Sequence, residues 1–197
     1  MTLDLNEFYA TFPVIKLQHV TLREIVDKDG DFFFAYINHP IVKTFLSDDD
    51  APPTIERAKS ELAYWGKLFR YRHCIYWGIA DNETDELIGT CGYNHWNLSH
   101  KRCEISYDIN YKYWGRGIMT DVVGAMCNFA FEKMQVNRVQ ATVVQENIGS
   151  IRVLEKNNFI REATMHEFAV LRGKIHNSYM YALLRKNTKF GSTSHNQ

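Results

Sequence analysis

Two glycines standing between an alternating stretch and a helical one are the residues of this sequence best placed for chemistry. They lie in Trp114-Gly-Arg-Gly-Ile-Met119. Gly115 and Gly117 let the backbone turn tightly and leave its N–H groups uncovered by side chains. Ahead of them, Ile105, Tyr107 and Ile109 alternate with Glu104, Ser106 and Asp108, the period of two that marks a strand. Behind them, Val122, Met126, Phe129 and Ala130 recur at helical spacing from Ile118 onward. A bare loop feeding a helix N-terminus binds anions, because unpaired N–H groups and the positive end of the helix dipole point the same way. The expected anion is a phosphate or pyrophosphate.

The carrier of that phosphate is narrowed by what the loop lacks. A Walker loop needs a lysine followed by Ser or Thr, and none stands after Gly117. A dinucleotide fingerprint needs glycine at 120, where this chain has Thr120. The missing glycine argues against a nucleotide- or NAD-binding oxidoreductase. Two glycines alone do not identify a ligand, since strand–helix turns also carry them for geometry.

With its flanks included, the segment resembles a known family. Trp114-Gly-Arg-Gly-Ile-Met119, after a strand reading Glu-Ile-Ser-Tyr-Asp-Ile, is similar to the acetyl-CoA pyrophosphate loop of GNAT acetyltransferases. The likeness is to their RimJ/RimL type, which acetylates N-terminal amines of ribosomal proteins. The family loop reads roughly [QR]-x-x-G-x-[GA]; Trp114 takes the Gln/Arg place, Gly117 the central glycine and Met119 the final small residue. The resemblance implies acetyl-CoA as cosubstrate, with no metal, held by Trp114, Gly115, Arg116, Gly117, Ile118 and Met119, where Arg116 adds charge to the phosphates. It also implies that backbone at Ile109 and Asn110 meets the pantetheine amides and polarises the thioester carbonyl.

A second stretch, Gln145-Glu-Asn-Ile-Gly-Ser150-Ile-Arg-Val-Leu-Glu-Lys-Asn-Asn-Phe159, resembles the family's N-x-x-S-x-x-x-L-E-K-x-G-F. Asn158 replaces the glycine, a mild change because Asn also tolerates the left-handed conformation that ends a helix. By resemblance Asn147 bonds the pantetheine arm, although Asn there is also an ordinary helix cap. Ser150 would protonate the departing thiolate, with Tyr107 and Tyr111 near enough in sequence to compete for that role. Glu104 matches the glutamate opening the motif strand and is the expected base. An α-amino group with a pKa of ~8 gives up its proton more easily than a lysine at ~10.4, and a carboxylate one water away can accept it. His95, Trp96 and His100, and the three aspartates at 48–50, are further candidates for the acceptor side.

The elements that must position these residues follow from periodicity. Strands are expected over 17–24, 76–80, 87–96, 104–109, 138–144, 159–166 and 178–184, and helices over 29–38, 54–70, 118–134 and 147–157. Pro40 stops the first helix. This order is α+β and also that of the GNAT fold, a mixed, mostly antiparallel sheet of six to seven strands flanked by about four helices. Residues 1–16 read as an N-terminal segment, 17–185 as the acetyltransferase domain and 186–197 as a disordered tail.

Composition bounds the remaining choices. At 197 residues the chain fits one domain. Its 23 basic and 23 acidic residues cancel, which favours neither nucleic acid nor an anionic membrane as a direct partner. No apolar run approaches the roughly 18 residues of a membrane span, and the N-terminus lacks the pattern of a signal peptide, so the cytoplasm is the expected location. The four cysteines fall at spacings of no zinc or redox motif. Three functions stay open: transfer to a protein N-terminal amine by direct attack in a ternary complex, transfer to a small amine such as an amino sugar, polyamine or antibiotic, and a non-catalytic acyl-CoA sensor. GNAT relatives are often dimers, so a homodimer is the assembly the resemblance allows.

Overall fold

Fourteen regular elements occur among the described residues. The computed structural model describes residues 3–191. They run α1 (Leu5–Phe8), β1 (Ile15–Lys16), β2 (Val20–Arg23), α2 (Asp29–Ile37), α3 (Pro40–Lys43), α4 (Ile55–Leu68), β3 (Tyr76–Asp81), β4 (Leu87–Asn97), β5 (Arg102–Ile109), α5 (Ile118–Glu132), β6 (Arg138–Val144), α6 (Ile148–Lys156), β7 (Ile160–Leu171) and β8 (Lys174–Leu184). The strands form one sheet in the order β1-β2-β3-β4-β5-β6-β8-β7.

Every pairing is antiparallel except that of β5 with β6, which α5 connects as a crossover. That exception organises the molecule. β5 and β6 pair only at Arg102 with Arg138, Cys103 with Val139 and Glu104 with Gln140. β5 continues to Ile109 and β6 to Val144, so beyond Glu104 the two strands diverge and the sheet splits.

Each face of the sheet has its own core. On one face, Ile105, Val139, Ala141 and Val143 pack with Val122, Val123, Met126 and Ala130 of α5. That is the apolar stripe whose helical spacing was visible in sequence. On the other, Ile25 and Leu87 pack with Phe33, Tyr36 and Ile37 of α2 and Ala58 and Leu62 of α4. The start of α2 is pinned by a buried ion pair: Arg23 on β2 grips Asp29 through both terminal nitrogens, at 2.8 and 2.9 Å. Asp29 is 0% exposed and also accepts the Val26 N–H at 2.9 Å. This grip holds the Arg23 guanidinium above its usual pKa.

Among the described residues the sheet has eight strands rather than six to seven, and six helices flank it rather than about four. The additions are short. β1 has two residues and α1 and α3 have four each, too few to show a period. α1 is capped by the Asp4 carboxylate, and Phe8 and Tyr9 stack near Trp96 and Phe69. β7 and β8 also extend beyond the expected 159–166 and 178–184, into a long hairpin turning at Arg172 and Gly173, both of positive φ. At the far end, 185–187 form a 3₁₀ turn and Phe190 packs near Phe131; the rest of the expected tail, 192–197, lies outside the described residues. Asn158 takes φ 61°, the left-handed cap its identity allows. No helix among the described residues is long and apolar enough to cross a membrane.

Candidate active site

The split in the sheet is the mouth of a cleft of about 620 Å³. Its floor is the end of β5, its far side α6, and its near side the loop after α3. Backbone pairing of β5 with β4 uses the even-numbered residues, as the Asn110 N–H shows by donating to Ile88 O at 2.8 Å. The backbone groups of Ile105, Tyr107 and Ile109 therefore face the split.

The glycine loop closes one end. Gly115 and Gly117 take φ of 74° and 82°, in the left-handed region, and a side chain on either would stand in open space. The conformation, and not crowding, is what calls for glycine there. Gly117 caps α5 without a side-chain bond. Among the described residues the N–H groups of Gly115, Arg116, Gly117, Ile118 and Met119 find no protein acceptor, and Gly115, Gly117, Ile118 and Met119 line the cleft. A row of free donors at a helix start fits the pyrophosphate of a CoA ester. Trp114 also lines the cleft, and its ring nitrogen donates to Ile109 O at 3.0 Å, folding the loop back onto the strand end. Arg116 stands outside the lining, its guanidinium 5.0 Å over the Tyr113 ring.

At the strand end, Ile109 lines the cleft and Asn110 does not. Both backbone groups of Asn110 are engaged, the N–H with Ile88 and the carbonyl with the Tyr113 N–H, and its side chain caps a 3₁₀ turn. Among the described residues the open N–H at the strand end is that of Ile109. Across the split, the Asn147 side chain caps α6 by accepting the Ser150 N–H at 3.0 Å, and Asn147 still faces the cleft. Ser150 Oγ lies 2.7 Å from the Tyr107 hydroxyl. Burial pushes the Tyr107 phenol up, so it stays protonated and can donate. Tyr111 is elsewhere, stacked on His39 at 3.9 Å.

Glu104 sits where the strands part, half-buried on the face toward α2 and α4, and accepts from Gln140 Nε2 at 3.2 Å. It does not line the cleft. His95, Trp96 and His100 do not line it either; Trp96 is turned inward against Phe8 and Tyr9, which the sequence alone did not separate from an acceptor wall. Asp50, the last of the aspartates at 48–50, caps its own turn through Ser47.

The structure adds residues that sequence reasoning passed over. Val42 of α3, with Phe45 and Leu46 just after it, walls the cleft from a segment too short to be read by periodicity. Arg152 and Lys156 line it from α6, and their spacing of four residues on a helix could have placed them on one face. Asp108 lines it from β5 and accepts from the Tyr36 hydroxyl at 2.5 Å and from the Thr90 hydroxyl at 2.6 Å. Burial pushes its carboxyl up. No cluster of three or more His, Cys, Asp or Glu suited to a metal ion occurs among the described residues.

A split sheet, a glycine-turned anion loop and a hydroxyl pair between them are features of acyl-CoA transfer, and comparison with known proteins agrees. The acetyltransferase (GNAT) domain family matches residues 19–160, and the chain belongs to that family. An uncharacterised N-acetyltransferase of Bacillus subtilis, YoaA, is 28% identical over 88% of this chain and 98% of its own length. The ribosomal protein uS5 alanine N-acetyltransferase of Escherichia coli is 24% identical over 64% of this chain and 65% of its own. Among solved structures, the ribosomal L7/L12 α-N-protein acetyltransferase RimL, in complex with coenzyme A, shares the fold at a TM-score of 0.79 with 19% identity, over 87% of this chain and 98% of that one. The protein is thus a GNAT N-acetyltransferase with ribosomal-protein acetyltransferases among its relatives, and acetyl-CoA is its acetyl donor.

Proposed function

We propose that this enzyme transfers the acetyl group directly, in a ternary complex, to a primary amine, with the N-terminal amine of a ribosomal or other protein as the favoured acceptor. The observation that carries the reading is the alignment of free N–H groups at 115–119, the open Ile109 N–H and the Tyr107–Ser150 pair along one split in the sheet. The relative that acetylates an alanine of ribosomal protein uS5 supports the acceptor class. The cytoplasm is the compartment this implies, and a homodimer the assembly suggested by the family.

The bound acetyl-CoA supplies an activated acetyl thioester. The N–H groups of residues 115–119 hold its pyrophosphate, helped by the helix dipole of α5, while Trp114 shapes the loop and Arg116 adds positive charge nearby. Arg152 and Lys156 add charge from α6. Asn147 positions the pantetheine arm, and the Ile109 N–H polarises the thioester carbonyl. Asn110 serves by fixing the turn that brings Trp114 back to Ile109. Glu104 takes the proton of the attacking amine through a chain of waters along β5. Ser150, bonded to Tyr107, hands a proton to the departing thiolate, whose pKa near ~8.5 asks for little stabilisation. No cysteine lines the cleft, in keeping with transfer without an acyl-enzyme.

Thermal denaturation with acetyl-CoA, CoA, NADP and ATP in separate wells tests this. Ligand at a hundred times its dissociation constant adds about 2.7 kcal/mol, a rise on the order of 5–10 °C for a domain of this size. A rise with acetyl-CoA and CoA alone is expected, followed by acceptor-dependent thiol release. No rise with either at millimolar concentration overturns the reading.

A further inference from the structure

Asp108 is a carboxylate whose surroundings are incomplete. It stands on the side of β5 that faces α2, on the cleft wall, one residue from Tyr107. Its three donors are all neutral: the Tyr36 hydroxyl, the Thr90 hydroxyl and the Thr90 N–H, the last at 3.2 Å. Among the described residues no Lys, Arg or His forms an ion pair with it. The cations of the cleft, Arg152 and Lys156, belong to α6 on the other side of the split. Burial raises the carboxyls of Asp108 and of Glu61 on α4; Asp50 adds to both and Asp108 to that of Glu61, where Arg57 opposes the rise. A half-buried carboxylate that keeps its charge without a cation is costly. A cation arriving from outside would offset that cost.

The geometry points to Asp108 as the residue that receives the acceptor's ammonium group, so that the enzyme selects amines that reach the site positively charged. This rests on the acetyltransfer proposed above and adds to it how the acceptor is recognised. Asp108 holds and orients the amine as a cation on the α2 side of β5, across the strand from the Tyr107–Ser150 hydroxyl pair, and the ammonium's proton passes along water to Glu104 on the same face of β5. It thereby makes the α2–α4 side of the split the acceptor's entrance, while the glycine loop and α6 serve the acetyl donor.

The test is kinetic. Wild type and Asp108→Asn are assayed by thiol release with three cationic probes, a peptide with a free N-terminal alanine, spermidine and glucosamine, and with hydroxylamine, which is mostly uncharged at pH 7.5. In the variant, kcat/KM for the cationic acceptor used falls at least thirtyfold through KM. The KM for acetyl-CoA and the thermal shift with CoA stay within threefold and a few degrees of wild type, and hydroxylamine turnover stays within threefold. Thr90→Val, which disturbs the same contact and keeps the charge, preserves the ratio of cationic to neutral acceptor. Equal loss for hydroxylamine and the cationic probe overturns the inference and makes Asp108 a structural tie, as does an unchanged KM. A wild type that is stabilised by CoA yet neither acetylates nor binds any cationic probe overturns it too, and leaves acetyl-CoA binding standing. Should Asp108→Asn not fold, calorimetric titration of CoA-saturated wild type decides: a cationic probe must bind and its analogue with hydroxyl in place of the amine must not.

Discussion

Helix α2 is fastened at both ends by carboxylates, and the two fastenings are built differently. At its start Asp29 is closed in by Arg23, with both oxygens engaged and no exposure. Near its end Tyr36 ties to Asp108, which has donors but no cation and opens onto the cleft. The first charge is neutralised within the chain, so the site is finished when folding is finished. The second is only solvated by hydroxyls and an amide, so its electrostatic balance waits on a visitor. The same side chain thus serves as structure in one place and as a binding determinant in the other. What separates them is whether a guanidinium is within reach.

Four measurements put that contrast to the test. The largest effect belongs to a third carboxylate: Glu104→Gln should lower kcat by about 100-fold or more, the scale of general-base catalysis, with acetyl-CoA affinity unchanged in a thermal-shift titration. Asp29→Asn takes from Arg23 its buried carboxylate and leaves it only the exposed Asp85, at 2.9 Å from its Nε, and should cost about 2–3 kcal/mol. Calorimetry should show a melting temperature lower by on the order of 10 °C, with acceptor KM per folded molecule unaltered. Tyr36→Phe removes one donor from Asp108 and should cost about 1 kcal/mol, a fall of about 2–4 °C. The smallest effect is in pH. The Asp108 carboxyl is raised above its ordinary 3.8 by burial, then by Asp50, against the lowering influence of Thr90 and Tyr36; Tyr76, Cys91 and Glu61 also feel its charge. A carboxyl raised in the folded state contributes stability below the unfolded value, and that stability is lost as pH rises through the folded value. The melting temperature of Asp108→Asn relative to wild type should therefore improve by a few degrees between pH 4 and pH 7; a constant difference across that range would show that ionised Asp108 carries no such burden.

Much of this was legible before any coordinates. The alternation at 104–109, the glycines at 115 and 117 and the helical stripe from Ile118 fixed the strand–loop–helix unit, because each is a local pattern with one physical reading. Gly117 and Asn158 took the left-handed conformations their identities allow. Asn147 and Ser150 line the split. The rest depends on contacts distant in sequence. Asp108 read as one polar position on a strand face, since nothing local says that Tyr36, 72 residues away, would bond it. Val42, Phe45 and Leu46 belong to a segment whose only local signal was the proline that ends α2. Asn110 looked free at the strand end, and only the register with β4 shows its N–H taken by Ile88. Trp96 and the histidines beside it gave no hint of which way the bulge at 94–97 would turn them.

The three-residue seam between β5 and β6 has a mechanical consequence. Five strands lie on one side of it and three on the other, and the sheet's continuity across it rests on the pairs at 102–104 with 138–140 and on the α5 crossover. Everything beyond Glu104 is a gap that a long, amide-bearing molecule can fill as if it were a missing strand. An acetyl donor lying there is a structural member as well as a reactant: it rivets two half-sheets together. Amide hydrogen exchange along Ile105–Ile109 and Ala141–Val144 should slow when CoA binds, and each release of product should leave the seam briefly looser than before.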